Sequence, residues 1–390
     1  MKVLRQVCVM ALLVVPSTPV FAQGAEPAPF KLIRTLQHAQ DQIAKGSQVA
    51  YDVQRKLLDH IGTKFIKFPD HVWADAKNSE AAAVFALAGG DPQVGKWLLN
   101  NRTLAAEYKD ILQGAVAFAS RKYPEAAKVL APFKPLKYPG HLGGSLALVK
   151  AMLVAKEDPK AAAKLFAISR LLVPGTLIEE SALRRSLVLF KKKEDLPQLV
   201  TTSSLYYRQF GQSVFGPVFD DRLATAVVEF DDDALGEIQE ELSKVVKLTS
   251  ENRQKKIFLM FAKKAVLNGK MAFARFTSSN AATIDENDAQ TVARAHLYMA
   301  AADVVSETPE KGLNALGEID SKILSDDDKS IMKNASKVGS AIAQWPPAAP
   351  TKEQSEEMAT SDKEAFSDDL FKRIEPLMVE VNGILESLDQ

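Results

Sequence analysis

The residues that could do chemistry in this chain are few and scattered. The sequence has five histidines and one cysteine. No two histidines have the His-Glu-x-x-His spacing of a helical zinc site, so they predict no metal centre. Cys8 lies in the N-terminal apolar run, which leaves the rest of the chain without a thiolate or a disulfide. We therefore expect no cofactor and no enzymatic activity. The histidines are His38, His60, His71, His141 and His296.

One acidic residue invites comparison with an enzyme. Glu180-Ser181 superficially resembles the Glu-Ser motif of lytic transglycosylases, whose glutamate is a general acid and base. That family continues with a Gly-Leu-Met-Gln segment on a lysozyme-like domain, and this sequence has neither. Glu180 instead precedes Arg184 by one helical turn, which favours a local ion pair worth a few tenths of a kcal/mol. A helical scaffold or enzyme-associated module acting at the peptidoglycan stays the alternative function.

Two glycine pairs predict turns and not phosphate-binding loops. Neither Gly89-Gly90 nor Gly143-Gly144 has the glycine fingerprint between a strand and a helix that cradles a phosphate. We expect both pairs to join helices.

The most informative stretch, residues 158–190, predicts two helices joined by a tight turn. Asp158 can cap the first helix, and the proline after it is tolerated in a first turn. Pro174-Gly175 ends that helix, and Thr176 followed by Glu179 has the capping-box spacing that begins the next. Each helix has one apolar face, so the hairpin needs a neighbour to cover it.

Hairpins of this kind recur along the chain. Pro124, Pro159 and Pro197 open helical segments at drifting intervals close to the ~34 residues of a tetratricopeptide repeat. Alternating strand patterns are nearly absent. We predict an all-α fold, a degenerate tetratricopeptide-like α-solenoid of helix hairpins with a separate C-terminal helix.

Composition divides the chain into five segments. Lys2 and Arg5 precede an apolar run that is too short to span a bilayer, and Ala22 offers a small residue for cleavage. The mature chain would then have no membrane anchor. The predicted signal peptide, short linker, solenoid, Pro-rich polar linker and amphipathic helix are residues 1–22, 23–29, 30–343, 344–362 and 363–390.

The last helix and the overall charge bear on partners. Apolar residues recur through residues 366–388 in the steps of a coiled-coil seam, which suits docking on the solenoid or pairing with another chain, self-association included. The sequence has 49 basic and 49 acidic residues. This balance gives no electrostatic reason to expect nucleic acid as a partner.

Charged and aromatic residues around the central hairpin are the candidates for partner binding. The charged ones alternate in sign, a pattern that suits either a partner-facing rim or a solvated face with local ion pairs. The aromatic group at residues 206–219 suits either a core or an interface anchor. The candidate residues are Arg170, Glu179, Glu180, Arg184, Arg185 and Tyr207.

The same hairpin resembles a known family. Residues 171–187 are similar to the signature hairpin of the MotC family of periplasmic flagellar-motor proteins. Weaker matches are Leu36-Gln37, Gln40-Asp41, Gln54, Leu57-Leu58, residues 86–92, residues 207–213 and Phe219. The similarity runs from about Phe30 to Ala343. This resemblance implies a soluble periplasmic protein, required for motility, that binds the periplasmic region of the stator protein MotB. We expect the groove of the helical array to hold that region.

Overall fold

The protein is described by a computed structural model over residues 27–306 and 308–344. Within these ranges it consists of α-helices and short 3-10 helices, without a β-strand. The all-α prediction is therefore confirmed. The predicted signal peptide, most of the first linker, residues 345–362 of the second linker and the amphipathic helix at 363–390 lie outside the described ranges.

The chain divides into two compact units after Glu286. The sequence predicts a single array over residues 30–343, because helical periodicity is alike on the two sides of this division. The described helices of unit 1 are α1 Pro29–Ala44, α2 Gln48–Lys67, α3 Asp70–Trp73, α4 Ala76–Leu87, α5 Pro92–Asn101, α6 Ala106–Ala119, α7 Tyr123–Leu130, α8 Gly140–Val154, α9 Pro159–Leu172, α10 Leu177–Ser186, α11 Leu196–Phe210, α12 Gly216–Val228, α13 Asp232–Val246, α14 Glu251–Leu267 and α15 Met271–Ile284. Those of unit 2 are α16 Ala289–Asp303, α17 Pro309–Gly317 and α18 Asp326–Ala343.

Local signals determine where the helices of the central hairpin begin. Asp158 accepts a hydrogen bond from the backbone N–H of Ala161 at 2.9 Å, directly before α9. Thr176 Oγ1 accepts one from the backbone N–H of Glu179 at 3.4 Å, directly before α10. Between the two helices Gly175 has φ +77°, a backbone conformation that glycine adopts without steric cost. The predicted hairpin is confirmed at both of its helix starts.

The cap of α9 allows a simple test. Replacing Asp158 with alanine is expected to lower the free energy of unfolding by about 1 kcal/mol, because the N–H of Ala161 loses its acceptor. Asp158→Asn retains a side-chain oxygen and should unfold close to the wild type. Urea denaturation followed by circular dichroism measures both, and equal loss in the two variants would contradict the capping role.

An aromatic cluster holds the first helices of unit 1 together. The ring of Phe65 lies 5.1 Å from the ring of Trp73 and 5.1 Å from that of Phe85. All three side chains are fully buried. Burying one such ring contributes roughly 1.5–3 kcal/mol, more than a helix cap, so packing dominates the stability of this region.

Successive helices of unit 1 pack on one another in chain order. α8 packs on α9, and α14 packs on α15. Along one row, α4 contacts α6 and α8, α8 contacts α10, α10 contacts α12, and α12 contacts α14. Along a second row, α11 contacts α13 and α13 contacts α15. Contact with the next element of the same row is compatible with the predicted solenoid.

One of the two predicted glycine turns is wrong. Gly143-Gly144 lies inside α8, and both residues are buried. A Cβ on Gly144 would lie 2.5 Å from Cγ2 of Val173, and one on Gly143 would collide with the carbonyl oxygen of Tyr138. These glycines therefore allow a close approach of α8 to neighbouring turns. The other pair, Gly89-Gly90, does follow α4 and joins it to α5.

The N-terminal helix of unit 1 is joined to the middle of the same unit. α1 packs against α10, and the backbone N–H of Val214 donates to the carbonyl oxygen of Ile43 at 3.3 Å. Gly46, with φ +99°, approaches the carbonyl oxygen of Gln212 so closely that no Cβ would fit between them. These contacts hold α1 close to α10 and to the segment before α12.

Candidate functional site

Glu180 of the central hairpin is a fully buried carboxylate. Arg184 holds it with two hydrogen bonds, Nε to Oε1 at 2.9 Å and Nη2 to Oε2 at 3.1 Å. The hydroxyl of Tyr206 on α11 donates to Oε1 at 2.8 Å. Burial and the neighbouring Glu180 charge raise the pKa of Tyr206. The predicted Glu180–Arg184 pair is confirmed, but it lies in the interior and not on the helix surface. Both oxygens of Glu180 therefore accept hydrogen bonds from these partners.

Glu179 connects the turn of the hairpin to α11. Its Oε2 accepts hydrogen bonds from the backbone N–H of Gly175 at 2.7 Å and from Nε2 of Gln209 at 3.0 Å. The capping-box spacing predicts that the N–H of Thr176 donates to the Glu179 carboxylate. The observed donor is instead the N–H of the preceding residue, Gly175. Arg170 Nε lies 3.8 Å from Oε1 of Glu179, a long and partly exposed ion pair.

Tyr207 lies in the interior as well. Its hydroxyl donates to Oδ1 of Asp220 on α12 at 3.0 Å. Arg253 on α14 donates to both oxygens of the same carboxylate, at 2.8 and 2.9 Å, and also to the carbonyl oxygen of Gly211. This cluster ties α11, α12 and α14 together. The ring of the adjacent Tyr206 stacks on Phe219 at 3.6 Å, so the aromatic group is chiefly core.

Unit 2 contains a cluster of the same composition. Asp328, 1% exposed, accepts hydrogen bonds from Arg294 Nε at 3.0 Å, from the hydroxyl of Tyr298 at 2.5 Å and from Ser325 Oγ at 2.7 Å. Three buried carboxylates, each bonded to an arginine and a tyrosine, therefore link helices in the described residues. In each cluster one cross-helix bond joins residues about one hairpin repeat apart: 26 positions for Tyr206–Glu180, 33 for Arg253–Asp220 and 30 for Tyr298–Asp328. The bond between Tyr207 and Asp220 spans only 13 positions, so repeat spacing is a sequence signal for part of each cluster.

A cavity of about 890 Å³ lies inside unit 1. We call it the central cavity. Its walls come from α1, α2, α4, α6 to α10 and α12. Its size is within the range of about 300–1,000 Å³ that ligand pockets occupy. Much of its surface is apolar, and the apolar lining includes Leu148, Val149, Met152, Phe166 and Ile178.

Three guanidinium groups line one side of the central cavity, and we call them the arginine wall: Arg184, Arg185 and Arg222. Arg184 is paired with Glu180 and lies over the ring of Phe215, 4.7 Å from its centre. Arg185 donates from Nε to Ser181 Oγ at 3.2 Å. Arg222 makes no hydrogen bond or close ion pair within residues 27–306.

At the arginine wall, the positive charge of the three guanidinium groups exceeds the negative charge of the nearby carboxylates. Burial, followed by the neighbouring arginines, lowers the pKa of Arg185. Burial and Arg184 likewise lower the pKa of Arg222. Glu180 opposes both shifts, and Asp221 opposes that of Arg222, but burial and the like charges outweigh them. The nearby Asp221 is exposed and forms an ion pair with Lys264 at 3.0 Å. Its charge is therefore shared with a residue other than Arg222.

Carboxamide groups from α1 and α2 also line the cavity, and we call them the amide wall: Gln37, Gln40 and Gln54. Gln40 donates to the carbonyl oxygen of Ala88 at 3.4 Å. Gln37 and Gln54 have no hydrogen-bond partner among the residues of unit 1 that the structure describes. His141 also lines the cavity, and its buried Nε2 has no partner there. Burial lowers the pKa of His141, which the nearby Asp41 opposes.

The structure separates the six candidate residues into two groups. Arg184 and Arg185 line the central cavity, whereas Glu179, Glu180, Arg170 and Tyr207 do not. Four of the six are buried, so the hairpin does not present an exposed row of alternating charges. The sequence does not predict a site role for Arg222, and Gln37 and Gln54 occur in it only among the weaker family matches, without a binding role. No local signal indicates them, because α1, α2 and α12 face one cavity only after the chain has folded. Contact of any of these residues with a partner stays a prediction.

Within the described ranges, no group of histidine, cysteine, aspartate and glutamate side chains is arranged to hold a metal ion. No helix in those ranges combines the length and hydropathy of a bilayer-crossing segment.

The fold and the cavity define a class of protein. Unit 1 is an array of packed helices around a central cavity, and arrays of helical hairpins commonly present such inner surfaces to other molecules. The chain matches the family model described as Chemotaxis protein MotC over residues 1–385. Chemotaxis protein MotC of Rhizobium meliloti (strain 1021) is 30% identical over 331 residues, 83% of this chain and 75% of that protein. The chain therefore belongs to the MotC family of chemotaxis proteins. No solved structure matches it.

Proposed function

We propose that the protein acts in the periplasm as a non-enzymatic component of flagellar motility that binds the periplasmic region of the stator protein MotB. Membership in a family of chemotaxis proteins supports the role in motility. The observation that carries the binding role is the central cavity, which is lined by apolar side chains, guanidinium groups and carboxamides. A surface of this composition suits a polypeptide, which has apolar side chains, charges and backbone hydrogen-bonding groups.

Features of the N-terminal sequence support export. Lys2 and Arg5 precede an apolar run, and Ala22 provides a small residue where a signal peptidase would cleave. A periplasmic location would place the mature chain in the same compartment as the proposed partner. Fusion of residues 1–22 to a reporter that is active only after export tests this part of the proposal. An inactive reporter would contradict it.

The test of the motility role is deletion of the gene. We expect the deletion strain to keep its flagella and lose swimming, because stator function is impaired while the filament still assembles. Expression of the full chain should restore swimming. Normal swimming of the deletion strain in soft agar would overturn the role in motility.

The test of binding uses the purified chain from Gln23 onward and the purified periplasmic region of MotB. We expect the two proteins to co-purify and to crosslink, and the chain to release no muropeptides from purified cell wall. Failure to bind would overturn the partner assignment. Release of muropeptides would favour the alternative function at the peptidoglycan and contradict the non-enzymatic role.

A further inference from the structure

We propose that the central cavity binds an extended polypeptide segment that places a carboxylate against the arginine wall and apolar side chains against the apolar lining. This inference rests on the proposed function in taking the ligand to be a segment of the partner protein. It names the chemical groups that the cavity binds and the residues that bind them. Family membership provides neither.

The charge of the arginine wall favours an anionic group. Its three guanidinium groups face a single buried carboxylate, Glu180, which Arg184 and Tyr206 already engage. Arg222 is left without a close acidic partner in unit 1, and Arg185 has only the hydroxyl of Ser181. A guanidinium group binds a carboxylate through two parallel hydrogen bonds, which makes a side-chain or terminal carboxylate the matching ligand group.

Other charged groups at the cavity do not cancel this charge. Lys156 and Glu157 both line the cavity, and they are adjacent and opposite in sign. His141 lies near Asp41, and burial favours the neutral form of this imidazole by lowering its pKa. The uncompensated positive charge is therefore concentrated at Arg185 and Arg222.

The amide wall favours a peptide over a simple organic acid. A carboxamide has both a donor and an acceptor, as a peptide group does, so Gln37 and Gln54 can pair with the backbone of an extended chain. Both side chains are without a partner in the described part of unit 1. The buried Nε2 of His141 is a further unpaired polar atom at the same surface.

The apolar lining lies in the same cavity as the two polar walls. Leu148, Met152, Phe166 and Ile178 come from α8, α9 and α10 and give a surface on which aliphatic or aromatic side chains can be buried. Burial of this kind supplies affinity, while the arginine and amide walls determine position and direction. The expected ligand is a segment with an aspartate, a glutamate or a chain terminus close to apolar residues.

The test compares binding of the periplasmic region of MotB to the wild type and to Arg185→Gln/Arg222→Gln. We expect the double variant to bind at least about tenfold more weakly, because each substitution removes a charged hydrogen-bond donor. Arg208→Gln is the matched control, since Arg208 is exposed on α11 and does not line the cavity. Thermal unfolding of all three proteins establishes that they are folded.

A second arm changes the ligand and leaves this protein intact. Overlapping peptides that tile the periplasmic region of MotB are measured by fluorescence anisotropy, and each binding peptide is then made with carboxamides in place of its carboxylates. We expect the neutral peptides to lose about tenfold in affinity for the wild type and much less for the double variant. A binding peptide that keeps its affinity after neutralisation would overturn the inference.

The outcomes separate the inference from the proposed function. If the wild type binds and the double variant binds equally well, the inference is wrong and the partner assignment stands. If the wild type does not bind the periplasmic region of MotB at all, the partner assignment fails and this inference fails with it.

Discussion

Replacing Arg184 with leucine is expected to lower the free energy of unfolding of the protein by about 3–5 kcal/mol, the cost of leaving a buried charge without its partner. Arg184 makes two hydrogen bonds to Glu180, whose side chain is 0% exposed. Without the guanidinium, the carboxylate keeps only the hydroxyl of Tyr206 in an interior that solvates it poorly. Urea denaturation followed by circular dichroism measures the loss.

Two further variants show whether the loss comes from the unpaired charge. Glu180→Gln/Arg184→Leu removes the charge that Arg184→Leu leaves buried, so it should recover a large part of the lost stability. Arg185→Leu is the matched single control, because Arg185 is the next residue and has only Ser181 as a hydrogen-bond acceptor. An Arg184→Leu protein that unfolds within about 1 kcal/mol of the wild type would contradict the structural role of this pair.

Replacing Gly46 with alanine is expected to lower the free energy of unfolding by about 2–5 kcal/mol. About 1–2 kcal/mol comes from placing a Cβ at φ +99°, and about 1–3 kcal/mol comes from overpacking against the backbone of Gln212. A backbone oxygen cannot move aside as a flexible side chain can. The contact between α1 and the segment before α12 would therefore open, and the central cavity would lose its closure. Denaturation by urea measures the loss of stability. Binding of the periplasmic region of MotB shows whether the cavity still binds its proposed ligand.

A second glycine separates the backbone cost from the contact. Gly269 also has a positive φ, +74°, and a Cβ built on it has no atom within 4 Å. Gly269→Ala should therefore cost only the conformational part, about 1–2 kcal/mol, and leave binding unchanged. Equal losses in the two variants would mean that the contact between Gly46 and Gln212 does not contribute to closing unit 1.

The positions of the helices follow from the sequence to a large extent. Asp158 and Thr176 predict the starts of α9 and α10, because a cap needs only groups within about one turn. The prolines at positions 124, 159 and 197 all fall in the first turn of a helix. Such signals do not depend on what the helix later packs against.

The glycine pairs mark where this local reasoning fails. Gly89-Gly90 and Gly143-Gly144 are alike in sequence, yet one pair joins helices and the other lies inside α8. The difference comes from the turns that contain Tyr138 and Val173, which approach α8 too closely for any Cβ. A tertiary contact therefore overrides the usual meaning of two adjacent glycines.

The candidate site depends even more on packing. The sequence indicates Arg184 and Arg185, and it indicates Glu180 as the partner of Arg184, because these residues share one helix. It does not indicate that Glu180 is buried, since this requires Tyr206 and the rest of α11 above it. It also does not indicate Arg222, which faces the same cavity from α12.

By itself, then, the sequence determined the all-α fold, the succession of helix hairpins and the helix starts, all of which arise from interactions within a few residues. The tertiary structure decided which charges are neutralised in the interior and which are left facing a cavity. The physical reason is that the energy of a charged side chain depends on the groups across from it. In this protein several of those groups lie on other helices: Tyr206 on α11 bonds to Glu180 on α10, and Arg253 on α14 bonds to Asp220 on α12.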